Sequence, residues 1–308
     1  MQNFKPLIVT AGSAYLDIDA YACMVAMAEL MQLKGENALA YSTAPCNYSV
    51  CQSLIDDAQI LKSLPPDFDI DNTKYIIVDV SDPDFLKNSV PLTQVRAVYD
   101  HHVGFEEYWR AKIGECAHIE FIGAAATLIL REWERVGLSN QMQVSTAKLL
   151  IVAILDNTLN MTSSNTTDED IKAFSFLCKL AGVGEDFREL YFSEVQKSVE
   201  ADLKNALFGD MKTVRDNAIL PPKVAQIAVW DACSVLAKLP EIQAWFSELI
   251  DDWMINIIDI RQRCSYFVCK AKTYQRKIEG CFGVCFEDNI AKTPISYLRK
   301  EIIKKTKS

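Results

Sequence analysis

The sequence has no Cys-x-x-Cys pair. Its ten cysteines (Cys23, Cys46, Cys51, Cys116, Cys178, Cys233, Cys264, Cys269, Cys281 and Cys285) are scattered, and no histidine pair follows them at zinc-site spacing. That argues against a structural zinc site and against a disulfide framework. The thiols read instead as reduced and mostly buried in a cytosolic protein. No run approaches the ~20 uncharged apolar residues that span a bilayer. The first ten residues hold one short apolar run, 7–9, and no small-residue cleavage site, so a signal peptide is not expected and a cytoplasmic location is. Gly-x-x-x-x-Gly-Lys and Gly-x-Gly-x-x-Gly loops are missing as well, which removes support for nucleoside-triphosphate and dinucleotide binding. Positive charge is in deficit, with 32 Lys and Arg against 41 Asp and Glu and a net charge of −9. A protein built to grip long nucleic acid is more often basic. A set of metal-binding carboxylates would itself swell the acidic count. The C-terminal end departs from the average with Lys292, Arg299, Lys300, Lys304, Lys305 and Lys307, of which the last three read as a solvated tail.

What is present suits two domains: 308 residues, half of them apolar, are too many for one ordinary small domain and enough for real cores. Short β-branched runs at 7–10, 37–42, 75–79, 95–99 and 118–122 alternate with helical stretches at 21–32, 52–61, 127–136 and 145–155. Strands separated by helices imply βαβ units and a parallel sheet, with ligands beyond the carboxyl ends of the strands. Residues 168–190 read as helical. The boundary is expected within 194–206, giving an α/β parallel-sheet domain over 1–195 with helices on both faces. A smaller α+β domain follows over 202–308, with strands at 224–229, 254–260, 265–271 and 278–286 and a helix at 239–253.

Histidine is scarce, with three in the chain, yet two are adjacent in Asp100-His101-His102, directly after a predicted strand. A lone His-His is more often an accidental surface pair, so the weight comes from its company. Asp17-Ile-Asp19 follows the first strand at the start of a helix, where negative charge is tolerated. Two carboxylates two residues apart can reach two ions, whereas the plainer reading makes Asp19 a helix cap. Asp79 ends the third strand, where a carboxylate could bridge two cations, and Ser81-Asp82-Pro83 beyond it is turn chemistry. Asp156 closes an apolar helix, an unfavourable end for an acid unless a cation is near; the alternative is an exposed loop acid. Carboxylates mixed with imidazoles suit Mn²⁺ or a similar divalent ion. Two such ions roughly 3.5–4 Å apart clamp the attacking and leaving oxygens of a displacement at phosphorus.

The order Asp-x-Asp, Val-Asp, Asp-His-His and a helix-end Asp with Thr resembles the DHH phosphoesterase superfamily. Val98-Tyr99-Asp100-His101-His102 is the signature itself, and Gly123-Ala-Ala-Ala-Thr127 looks like a family helix start near the site. The resemblance covers roughly the first 170 residues. It implies Asp17, Asp19, Asp79, His101 and Asp156 as ligands of two Mn²⁺ ions, with Mg²⁺ as an alternative. It further implies Asp79 as the bridge and as a catalytic residue with His102, which would face the phosphoryl group. No Gly-Gly-Gly-His motif of the oligonucleotide-hydrolysing branch is found. Gly209-Asp-Met-Lys212, Val224-Ala-Gln226, Met254-Ile-Asn-Ile-Ile-Asp259 and Leu298-Arg-Lys-Glu-Ile-Ile303 instead resemble the C-terminal, DHHA2-like domain of family II pyrophosphatases and prune-like exopolyphosphatases. By that likeness Lys212, Arg299 and Lys300 would close over a small phosphorylated substrate, Arg by bidentate contact and Lys as a point charge. A homodimer is compatible with it.

Three departures stand out. Ser13 takes the place where the family has His or Asn. Asp156-Asn157-Thr158 replaces Asp-Thr, so that either Asp156 or Asn157 holds the ligand position. Leu298 replaces a positive residue of the basic segment. The resemblance thus implies hydrolysis of pyrophosphate or short polyphosphate. The alternatives are a phosphodiesterase acting on short oligonucleotides or nucleotide esters, and a catalytically weak binding or regulatory protein. A base-binding footprint would need stacking aromatics, and Trp109, Trp230, Trp245 and Trp253 read better as core.

Overall fold

The computed structural model describes residues 6–12, 15–55, 60–64, 68–86 and 89–307. The chain divides into two compact units, Met1–Arg188 and Glu189–Ser308.

In the first unit the elements run β1 (Leu7–Thr10), α1 (Ile18–Leu33), β2 (Ala38–Tyr41), α2 (Gln52–Ile55), β3 (Ile60–Leu61), β4 (Lys74–Val78) and α3 (Pro83–Leu86). They continue with β5 (Val95–Asp100), α4 (Glu106–Ile113), β6 (Ala117–Ile119), α5 (Ala125–Arg135), α6 (Val144–Asn157) and α7 (Asp168–Ala181). The strands form one sheet in the order β3-β2-β1-β4-β5-β6, and every pairing is parallel. A wholly parallel sheet is covered on both faces. Ile8, Tyr75, Ile77 and Val98 pack with Leu86 and Trp109 on one face. The alternate residues Leu7, Val9, Ile76 and Val78 are also buried, and α1 lies against β1, β2 and β4. Helix α1 is in turn covered by α5 and α6, which is why Ala, Met and Cys can occupy nearly its whole circumference.

The expected helix over 52–61 is corrected in part: its described beginning is α2, but Ile60–Leu61 pairs with β2 as the edge strand β3. Pairing with β2 satisfies backbone groups of these two residues. The stretch 168–190 breaks at Gly182, whose φ of 65° ends α7, and α8 (Asp186–Ala201) follows and runs across the division between the units.

The second unit continues with α9 (Leu203–Gly209), β7 (Lys212–Thr213), β8 (Lys223–Val229), α10 (Cys233–Ala237), α11 (Leu239–Leu249), β9 (Trp253–Asp259), β10 (Cys264–Cys269), α12 (Lys272–Phe282), β11 (Ile290–Lys292) and α13 (Arg299–Lys307). Its mixed sheet has the order β11-β10-β9-β8-β7, with β8 and β9 parallel and the other pairs antiparallel. The strand expected over 278–286 is wrong. Those residues begin in helix α12, which buries Gln275, Ile278 and Phe282 at helical spacing and ends at left-handed Gly283. The fourth main strand is β11 instead. The apolar run misled because a helix with a buried stripe and a short strand look alike over a few residues. The expected helix over 239–253 stops at Leu249, and Trp253 opens β9.

A buried polar knot fixes the helix starts beside the sheet's C-terminal ends. The fully buried Asp170 carboxylate accepts from the Gly123 amide at 2.9 Å and from Thr127 Oγ1 at 2.6 Å. It also accepts from the Thr167 amide and hydroxyl at 2.8 and 2.7 Å. Position 123 must be glycine, because a Cβ there would stand 2.5 Å from Asp170 Oδ2 and 2.7 Å from Thr158 Cγ2. Gly123→Ala is expected to lower stability by about 1–3 kcal/mol, read as a lower urea midpoint at unchanged slope.

Candidate metal centre

The sheet order places β1 and β4 side by side while their chains continue to opposite sides, which makes the gap beyond their ends the switch point where open α/β sheets bind ligands. Asp17 and Asp19 follow β1, Asp79 follows β4, and Asp100, His101 and His102 end or follow β5. The fold therefore brings these three sequence clusters together. Asp79, His101 and His102 each offer a ligand atom within 4.8 Å of the others. A cavity of about 400 Å³ is lined by Asp17, Asp79, Asp100 and His102 among others.

Asp17, not Asp19, caps α1, by accepting from the Ala20 amide at 2.9 Å. Asp19 lies inside the first turn with no solvent exposure and reaches across to α5. It accepts from the Ala125 and Ala126 amides at 2.8 and 2.9 Å, and so supplies the cap that α5's own Ala124 lacks. The Cys23 thiol also donates to it, at 3.4 Å. The Gly123–Thr127 segment thus does pack at the site.

Asp79 adopts a left-handed φ of 57°, a conformation an Asp tolerates better than most side chains but at some cost. Its amide still donates to Tyr99 O at 2.8 Å, so the strand pairing carries on while the side chain is turned toward the histidines. That side chain is 5 % exposed, with Oδ1 3.4 Å from His101 Nε2. His101 Nδ1 bonds the Ile122 carbonyl at 3.2 Å. A proton on that nitrogen donates to the carbonyl and leaves the Nε2 lone pair facing Asp79 and, at 4.0 Å, Asp19. His102 Nδ1 contacts Asp100 Oδ1 at 2.9 Å, and its amide donates to the same oxygen at 3.0 Å. The Ser81 hydroxyl donates to His102 O, and Asp82 accepts from the Asp84 amide at 2.9 Å in the expected turn.

Electrostatics fit a cation. Among the described residues no lysine or arginine pairs with Asp17, Asp19, Asp79 or Asp100, and buried Asp79 Oδ1 and Asp100 Oδ2 accept no hydrogen bond. Burial and the neighbouring Asp17 push Asp19 up to about 7, against the pull of its amide and thiol donors. Burial, with Asp17, Asp19 and Asp100 close by, holds Asp79 well above the usual carboxylate range. Partial desolvation of the His102 ring would favour its neutral form, but the hydrogen bond and charge of Asp100 prevail and raise its pKa. Burial opposes ionisation of Asp100 too, and its bond to His102 overcomes this and lowers its pKa. Carboxylates and imidazoles in this arrangement can hold a divalent cation.

Asp156 lies half-buried in the last turn of α6. The Asn157 amide turns back to Ala153 O at 3.5 Å. Thr158 Oγ1 donates to Ile154 O at 2.6 Å and accepts from the Met161 amide at 3.1 Å, bracing a left-handed turn through Leu159, Asn160 and Met161. Ser13 lies outside the described residues. In the second unit Lys212 and Lys300 are exposed. The Arg299 guanidinium is held by Asp210, through its carbonyl at 2.7 Å and its carboxylate. Trp109 and Trp253 are buried as expected, whereas Trp230 and Trp245, also expected in the core, are half-buried. Sequence reasoning missed Asp170 and gave Asp100 no role of its own; the strand-end position that marked Asp79 also marks Asp100.

Two outcomes follow from the charge crowding. Asp19 keeps its proton up to about pH 7 in the fold, against its ordinary value of 3.8, so its contribution to metal-free stability is full below that ordinary value and is lost as pH rises through about 7. Because ligands must be deprotonated to bind, Mn²⁺ should raise the melting temperature more at about pH 8 than at about pH 5. Asp79→Asn should stabilise the metal-free protein at about pH 8 by about 1 kcal/mol and abolish the Mn²⁺-induced rise, both read by calorimetry.

No family model matches the chain. A protein of Deinococcus radiodurans assigned as a manganese-dependent inorganic pyrophosphatase is 23% identical over 308 aligned residues, which cover 92% of each chain. A like-named protein of Staphylococcus carnosus is 25% identical over 311, covering 93% of each. The solved structure of a Methanococcus jannaschii protein assigned as a family II inorganic pyrophosphatase has the same fold, with a TM-score of 0.64 at 18% identity over 98% of this chain and 100% of that one. An exopolyphosphatase-related protein from Bacteroides fragilis gives 0.55 at 12% identity over 99% and 92%. The chain is a distant homologue of proteins assigned as manganese-dependent pyrophosphatases, and it carries a clustered acid and histidine site able to coordinate metal.

Proposed function

We propose that the protein is a metal-dependent phosphohydrolase that cleaves phosphoanhydride bonds of pyrophosphate or short polyphosphate, using two Mn²⁺ ions, with Mg²⁺ as the alternative. The observation that carries this reading is the convergence of Asp17, Asp19, Asp79, Asp100, His101 and His102 at the switch point of a parallel sheet, with no basic side chain paired to the acids among the described residues. In this reading residues 1–195 form the DHH-type catalytic domain and 202–308 the DHHA2-like domain that closes over substrate.

Asp17, Asp19, Asp79, His101 and Asp156 would hold the ions. Bound divalent ions supply Lewis acidity: they make water acidic enough to attack near neutral pH and neutralise charge on phosphoryl oxygens. Among these residues Asp79 lies buried between the two histidines, turned there by its left-handed backbone, with Oδ1 3.4 Å from His101 Nε2 and 4.0 Å from His102 Nδ1. His102 is fixed by Asp100 through Nδ1, and its side chain is 64% exposed. Its Nε2 is the ring nitrogen left to face a phosphoryl or departing oxygen. Lys212, Arg299 and Lys300 would add positive charge against the phosphates; Arg299 would exchange Asp210 for substrate to do so.

The test is phosphate release from pyrophosphate and from tripolyphosphate, with Mn²⁺ and with chelator. Release should require the metal. His101→Ala should lower it by at least the ~10–100-fold that loss of a partner around a metal ligand costs. No release from either substrate by protein with Mn²⁺ bound would sink the phosphoanhydride reading.

A further inference from the structure

The cavity at the metal centre carries an apolar wall beside its acids. Each of the three strand-end loops that brings a candidate ligand also brings an apolar side chain to the same cavity. Tyr15 accompanies Asp17 after β1, Val80 and Phe85 accompany Asp79 after β4, and Val103 and Phe105 accompany His102 after β5. Tyr15, Phe85 and Val103 are 55%, 58% and 54% exposed. Among the described residues only three Phe, Tyr or Trp side chains, Tyr15, Phe85 and Phe121, are comparably exposed, and two of them line this one cavity. No lysine or arginine among the described residues lines it. Large apolar side chains left in water are costly to gather in one place unless something covers them, so a cluster of them in a cleft marks a binding surface. The volume, about 400 Å³, falls in the range of about 300–1,000 Å³ that accommodates organic ligands.

We propose that the site also takes an organic phosphoanhydride carrying a planar aromatic group, represented by a purine nucleoside diphosphate, whose ring packs on the wall formed by Phe85, Tyr15 and Val103 while its phosphates face His102 and the acids that would hold the ions. This rests on the phosphohydrolase reading for the reaction and extends it to the substrate. Phe85 stands on α3, a single turn that follows the Asp82-Pro83 turn, so the aromatic face and the Asp79 carboxylate are fixed within a few residues of each other. Aromatic stacking accepts any base, because every base has a π-face. With a nucleoside diphosphate, water forms a bond to the terminal phosphorus and the bridging P–O bond breaks. The products are the nucleoside monophosphate and orthophosphate, with the proton of water released to solvent.

The test uses the full chain loaded with Mn²⁺ and has two readouts. Calorimetric titration compares AMP with inorganic phosphate, and phosphate release compares ADP with methyl diphosphate, for the native protein, Phe85→Ala and Phe85→Trp. AMP should bind more tightly than phosphate, and the ratio of kcat/KM for ADP to that for methyl diphosphate should exceed one. Phe85→Ala should lower both preferences about tenfold, within the range measured for loss of one stacking aromatic, and Phe85→Trp should keep them. Equal handling of AMP and phosphate, with no response to Phe85→Ala, overturns the proposal. So does a shift from dimer to monomer in Phe85→Ala without change in either preference, because the wall would then be covered by a second copy of the chain. AMP binding that depends on Phe85 without hydrolysis of any compound would uphold the aromatic subsite and reject the hydrolase reading, which keeps the two failures apart.

Discussion

The crowding of carboxylates beyond the ends of β1, β4 and β5 is the constraint around which the first unit is organised. Asp17, Asp19, Asp79 and Asp100 share a small volume with two imidazoles and, among the described residues, no paired lysine or arginine. Like charges in a buried setting repel strongly, and the protein answers by raising proton affinity at Asp19 and Asp79. Holding such a cluster together costs stability. A fold that keeps it must both over-determine its geometry and find a cation to neutralise it.

The over-determination is visible in how the acids are used twice. Asp17 caps its own helix while lining the cavity. Asp19 takes two amides at the start of α5, so the positive end of that helix offsets part of its charge. Behind them Asp170 ties Gly123, Thr127 and Thr167 together. The loop before α5 is thereby locked from one side by Asp170 and from the other by Asp19. His101 is oriented through Nδ1 by the Ile122 carbonyl, which leaves Nε2 toward Asp79, the ordinary arrangement for an imidazole that binds metal. His102 is held through Nδ1 by Asp100. The chemistry in front and the stability behind therefore use the same residues.

Much of the frame was legible. Periodicity marked five of the six strands of the first sheet near their observed positions, because central parallel strands are continuous apolar runs bounded by turns. It missed β3, two residues at an edge that carry no pattern of their own. In the second unit the run 278–286 carries apolar residues that suit either a strand or a helix face, and packing of Ile278 and Phe282 against Phe267 and Met254 decided for the helix. The acids were legible because carboxylates directly after strands are conspicuous. Whether Asp19 caps its own helix or another was not, since the answer lies more than a hundred residues away at Ala125.

By itself the sequence determined the α/β alternation, the apolar strands that must be covered on both faces, and the set of strand-end acids and histidines whose chemistry suits a divalent ion. Those follow from residue type and local spacing, which act over a few positions. The tertiary structure alone decided which carboxylates meet. The order of strands puts β1 beside β4 and β4 beside β5, and so crowds Asp17, Asp79 and Asp100 while turning Asp79 into a left-handed backbone. It alone decided that Phe85, Tyr15 and Val103 stand in the open beside them, because exposure is a property of how distant segments pack and is written in no single stretch of chain.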